Sequence, residues 1–161
     1  MKYKLELIVF TTGACVMILE LVGSRVLAPY LGTSIVVWTS LIGLILASLS
    51  IGYWWGGKLA DRQPNWITFA TIIFMAGLYV GLIGIMKTAV LEIIQSTTRD
   101  LRISSIIATL ILFCPPSLLL GMVSPYAVKL KIKSLETSGT TVGELYAIST
   151  IGSIVGTFLT G

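Results

Sequence analysis

Apolar residues run along this chain in five long blocks separated by short polar breaks. The blocks lie at about 5–27, 35–55, 66–86, 103–122 and 143–161. A hydrocarbon core of about 30 Å takes about 20 apolar residues in a helix, so each block has the length of a membrane span. Small residues recur inside the blocks at helical spacing. Gly13, Val16, Glu20, Gly23, Ser24 and Leu27 share one stripe of the first. Ser40, Gly43, Ala47 and Ser50 line the second, and Gly52 and Gly56 add a GxxxG pair. Gly77, Gly81 and Gly84 flatten the third, while Ser149, Gly152, Gly156 and Thr160 line the fifth. In lipid such stripes mark faces where helices approach closely. The pattern predicts an all-α integral membrane bundle of five transmembrane helices.

The breaks carry their own signals. Pro29 cannot continue a helical hydrogen-bond ladder and Gly32 permits a tight reversal, so the first two spans form a hairpin. Gly56 to Asn65 reads as a polar turn after the second span. Residues 87–102 read as a linker in which Val90, Leu91 and Ile94 share a face, predicting a short helix on the membrane surface. Cys114-Pro115-Pro116 bends or breaks the fourth span. A basic loop follows from Ser124 to Gly139. The fifth apolar run reaches Gly161 without a polar flank, which predicts a fragment or a split gene.

Composition agrees with the pattern. Of 161 residues 55% are hydrophobic and only 11% charged, against about 25% in soluble domains. The net charge of +4 sits at helix ends, where membrane orientation accounts for it, so nucleic acid is not the expected partner. With no histidine, the commonest metal ligand and general base is missing, and no metal, cofactor or catalytic residue is predicted. Cys15 and Cys114 lie in apolar runs and read as small buried hydrophobes. Lys2 and Lys4 precede the first run as in a signal peptide, but no cleavage site follows. With the N-terminus in the cytoplasm, the inner side holds Lys2, Lys4, Lys58, Arg62, Lys129, Lys131 and Lys133, and the outer side Lys87, Arg99 and Arg102. That asymmetry predicts a multi-pass protein of the cell membrane with a cytoplasmic N-terminus.

Charged and aromatic residues inside the spans are the candidate ligand sites, because an intramembrane ionisable group is costly. They are Glu20, Arg25, Trp38, Glu144 and Tyr146. Glu20 and Arg25 lie about 140° apart around a helix and do not stack on each other. Glu20 then serves either an interhelical ion pair or a cationic ligand. Trp38, Trp54 and Trp55 stand near span ends, as interfacial aromatics do. A faint internal echo relates Leu27-Ala28-Pro29-Tyr30 to Val123-Ser124-Pro125-Tyr126, and Gly43 to Gly52 in the second span to Gly152 to Gly161 in the fifth. The echo is either chance among glycine-rich helices or a 3+3 inverted repeat, as in transporter folds, with its sixth span outside the chain.

Three stretches together resemble one known family. Glu20-Leu21-x-x-x-Arg25-x-Leu27-Ala28-Pro29-Tyr30-Leu31-Gly32-Thr33-Ser34 is continued by Val37-Trp38-Thr39-Ser40. Next comes Gly52-Tyr53-x-x-Gly56-Gly57-x-Leu59-Ala60-Asp61-Arg62, and later Ser124-Pro125 with Gly143-x-Leu145-Tyr146-Ala147-x-Ser149-Thr150-x-Gly152-Ser153-x-x-Gly156-Thr157-Phe158. They resemble the N-terminal membrane region of membrane-fused spermidine synthase-like proteins, over nearly the whole chain. The resemblance implies a major-facilitator-like helical region preceding a polyamine aminopropyltransferase domain, which would bind decarboxylated S-adenosylmethionine and a diamine. No Gly-rich turn in a soluble α/β setting is present here, so no catalytic residue is carried over. Gly57-Lys58-Leu59-Ala60-Asp61-Arg62 also resembles the front half of the major facilitator loop signature. There Gly57, Asp61 and Arg62 would clamp helix ends on the cytoplasmic side, although Pro64 and Asn65 depart from that signature.

Three functions follow as expectations. The first is a non-catalytic membrane domain that anchors a separate or downstream spermidine-synthase-like partner or gives polyamines a path. The second is half of a small-solute transporter acting as a homo-oligomer. The third is a membrane scaffold without ligand. The lipid bilayer is the partner common to all three.

Overall fold

A computed structural model describes residues 4–62, 64–132 and 138–161. Six helices follow one another: α1 (Lys4–Leu31), α2 (Ile35–Arg62), α3 (Trp66–Thr97), α4 (Leu101–Leu112), α5 (Cys114–Lys131) and α6 (Ser138–Thr160). No strand occurs among the described residues. α1, α2, α3 and α6 are each long and apolar enough to cross a membrane, and α4 with α5 forms a bent pair that passes the same test together.

Two helix pairs pack most closely, α2 on α5 and α1 on α6, and glycine makes both possible. A methyl group at Gly56 would stand 2.6 Å from the Met122 Cα, and one at Gly52 would strike the Leu118 carbonyl. On the other pair, a methyl at Gly156 would stand 2.5 Å from the Ala14 carbonyl oxygen, and one at Gly152 would strike that of Phe10. Both pairs advance four residues on each helix between contacts, so the helices of each pair run parallel. This is close small-residue packing of the kind lipid favours. Buried side chains gather at two levels. Leu27, Leu41, Ile45, Leu91, Leu112 and Phe113 belong to one cluster, and Val9, Phe69, Val123, Tyr126 and Leu145 to the other.

Several expected boundaries move. α1 continues through Pro29 to Leu31, because a proline in the last turn costs only the bond to the Arg25 carbonyl. The reversal rests on Gly32, at φ 75°, whose N–H bonds the Ala28 carbonyl at 2.9 Å. α2 runs on through Gly56 and Gly57 to Arg62, so the expected polar turn is mostly helix. Gly56, with Gly52 one turn earlier, serves close approach to α5 instead of chain reversal. Residues 87–97 are no separate surface helix but the end of α3, where Leu91 and Ile94 are buried in the first cluster. No proline or glycine interrupts that stretch, and its apolar stripe finds protein to pack on. α3 ends at Thr97 with Thr98 as its C-cap, and Asp100 caps α4 by accepting from the Arg102 N–H at 2.8 Å.

The break at Cys114-Pro115-Pro116 is confirmed, as a 51° bend centred on Phe113. The prolines sit in the first turn of α5, where the missing N–H groups would have had no intrahelical acceptor. Lys2 and Lys133 lie outside the described residues.

Candidate functional site

The N-terminus of α1, the C-termini of α2 and α5 and the N-terminus of α6 share one end of the bundle, and the ion pairs are found there. Lys131 Nζ, on the last turn of α5, lies 2.7 Å from Glu6 Oε1 of α1 and 2.9 Å from Glu144 Oε2 of α6. The Lys131 and Glu6 side chains keep only 23% and 17% of their exposure, so this node is well shielded, whereas Glu144 is 51% exposed. Burial works against the Lys131 ammonium, and its two charge-assisted hydrogen bonds to Glu6 and Glu144 offset that cost. The second Glu6 oxygen is buried and accepts no hydrogen bond from the described residues.

Beside this node, Lys129 Nζ meets Asp61 Oδ1 at 2.7 Å and ties the end of α2 to that of α5. Asp61 thus joins the ends of two helices from within a helix. Gly57 is half-buried, its methyl position 4.0 Å from the Pro125 side chain. Arg62 is exposed and makes no ion pair among the described residues. Lys58 Nζ lies 3.6 Å over the centre of the Trp54 ring, a cation–π contact at the same end. Tyr126 OH receives the Asn65 N–H at 3.0 Å, and its ring stacks on Phe69, which fixes the start of α3 against α5.

Deeper in the bundle α1, α2, α5 and α6 surround a polar chamber of about 50 Å³. Thr12, Tyr53, Ser124, Ser149 and Ser153 bring hydroxyls to it. Thr12 donates to the Val9 carbonyl at 3.1 Å and Ser153 to the Gly13 carbonyl at 3.1 Å. The hydroxyls of Tyr53, Ser124 and Ser149 make no hydrogen bond within the described residues. In apolar surroundings such groups need partners, and the volume suffices for a water or two.

The sequence-predicted polar residues do not converge on one site. Glu20 is half-buried on the expected stripe of α1, with no ion pair or hydrogen bond among the described residues. Arg25 is exposed and donates to the Gly161 carbonyl at 3.4 Å, so the two residues are indeed not paired. Glu144, considered as a buried carboxylate for a cation, is exposed and shares the Lys131 ammonium with Glu6. Tyr146 is exposed close to Tyr53. Trp38 stands half-buried at the start of α2, the opposite end from Glu144. Of the residues that hold the charged node, Lys131 counts in the sequence only as one of the inner-side cations, and Glu6 is not singled out there. The one signal available was the seven-residue spacing Glu6–Gly13–Glu20, which puts both acids on a single face of α1.

No protein-family model, curated protein or solved structure matches this chain.

Proposed function

We propose that this chain is a non-catalytic membrane domain that anchors a spermidine-synthase-like partner, with its N-terminus and ion-paired end in the cytoplasm. The observation that carries anchoring over a polyamine path is the size of the interior. Small-molecule pockets run to about 300–1,000 Å³. The polar chamber has about 50 Å³, and no carboxylate lines it. Two larger hollows among the described residues lie on the outside of the helices and are apolar, which suits lipid better than a polycation. The motifs that carry the family resemblance coincide with packing features: Gly52 and Gly56 against α5, Gly152 and Gly156 against α1, and Asp61 on Lys129. A rigid platform uses them in just that way.

The test is activity of the complex. Purified from its native membranes after mild cross-linking, the chain is expected to bring with it formation of spermidine from putrescine and decarboxylated S-adenosylmethionine. The same chain expressed alone is expected to have no such activity. A complex without the activity contradicts the partner, and activity in the lone chain contradicts the non-catalytic role.

A transporter half is the second reading, and one relationship favours it. The sequence echo pairs the first span with the fourth and the second with the fifth. That exchange turns the α1–α6 pair into a pairing of α2 with the α4–α5 segment, and these are the regions of closest packing. An inverted repeat would produce such an exchange. On this reading the chain works as a homo-oligomer, and a monomer in detergent and in nanodiscs would count against it.

A further inference from the structure

We propose that the outer groove between α1 and α3 is a binding site for an anionic phospholipid, one acyl chain lying in the groove and the phosphate held by Lys87 and Arg25. The groove has a volume of about 290 Å³ and is walled by Cys15, Ile18, Val22, Ile73, Gly77 and Val80. Gly77 forms a furrow, since nothing stands within 4 Å of where its side chain would begin.

Charge complementarity identifies the occupant. Ile73, Val80 and Lys87 are seven residues apart on one face of α3, so Lys87 continues the wall of the groove toward its end. From Ile73 to Lys87 the helix rises about 21 Å. Half of a bilayer with its headgroup region is about 20–22 Å, so a chain bedded at Ile73 puts its phosphate level with Lys87. Lys87 is half-buried and makes no ion pair among the described residues. Arg25 lies less than one helical turn beyond Val22 on α1 and is exposed; its guanidinium donates to the Gly161 carbonyl at 3.4 Å, a long bond that a phosphate above the groove would replace. Among the described residues no acid lines the groove, and Glu20 points to a different side of α1 from Cys15 and Val22. An apolar trough that ends in two cations fits an acyl chain with an anionic head and disfavours a zwitterionic one.

The experiment is native mass spectrometry of the whole chain released from detergent containing equal amounts of phosphatidylglycerol and phosphatidylcholine. Retention of phosphatidylglycerol in preference to phosphatidylcholine is expected. Lys87→Gln and Arg25→Gln should each weaken that retention about fivefold, the effect of one basic residue at a lipid surface. Gly77→Leu should fill the furrow and abolish preferential retention while the melting temperature stays within a few degrees, because a side chain there meets open space. Equal retention of both lipids overturns the proposal. So does selectivity that survives both charge removals. A dimer linked through cysteines placed at Gly77 and Gly81, with no lipid retained, would mean that a second copy occupies the groove, and would equally overturn it.

Discussion

Glu6 and Glu144, 138 positions apart in sequence, share a single ammonium, that of Lys131, at 2.7 and 2.9 Å. The lysine therefore locks α1, α5 and α6 together at one end of the bundle. Removing it leaves two carboxylates facing each other across α1 and α6, one of them shielded. A fully buried pair broken on one side costs about 3–5 kcal/mol. With part of this node exposed, Lys131→Ala is expected to cost about 2 kcal/mol. Glu144→Gln, at the more exposed partner, should cost under about 1 kcal/mol. Thermal melting in detergent checks the order, and a larger loss for Glu144→Gln than for Lys131→Ala would contradict it.

Glycine positions divide into two groups with opposite expectations. Gly52→Ala and Gly152→Ala add a methyl group where a neighbouring backbone carbonyl already stands. Each should destabilise by about 1–3 kcal/mol as the helix pair is forced apart. Gly81→Ala meets open space and replaces the poorest helix former after proline, so it should be neutral or stabilising by up to about 1 kcal/mol. The measurement is again melting temperature, and a uniform response across the three variants would disprove the packing scheme.

Among the described residues Glu20 has no partner to lose. Glu20→Gln is therefore expected to leave melting temperature unchanged or raise it slightly, since an unpaired carboxylate in apolar surroundings is a cost to the fold. A drop of several degrees would reveal an ion pair and restore the structural role considered for this residue.

Orientation is tested by accessibility. In a background where Cys15 and Cys114 are replaced by alanine, cysteines are placed at Arg62 and Ser96, both exposed and at opposite ends of the bundle. An impermeant thiol reagent on intact cells should label Ser96→Cys and spare Arg62→Cys. The reverse pattern would invert the assignment of the ion-paired end to the cytoplasm.

The sequence revealed where helices start better than where they stop. Ile35 and Trp66 open α2 and α3 where the apolar runs begin. α2 and α3 then continue past the ends of those runs, to Arg62 and Thr97, because a helix does not stop at the edge of hydrocarbon when its flanks can pack on protein. Gly56 carried two signals in the sequence, a GxxxG packing pair with Gly52 and the start of a polar turn; the packing signal holds and the turn signal, shared with Gly57, does not. The Pro115-Pro116 bend was legible because proline acts through its own ring and missing N–H. The charged node was not, because pairing Glu6 with Lys131 depends on how α1 lies against α5. For the same reason Glu144 read as a free intramembrane acid until its partner was in view.

The central claim is that the bundle is a closed anchor and not a polyamine path. Its most direct test is spermidine uptake by proteoliposomes containing the purified chain at known density, with an outward-negative and then an inward-negative potential. Uptake no faster than in protein-free liposomes, under both potentials, is the predicted result. Saturable uptake that depends on the chain, and that falls when Tyr53 or Ser149 of the chamber is enlarged, would contradict the account.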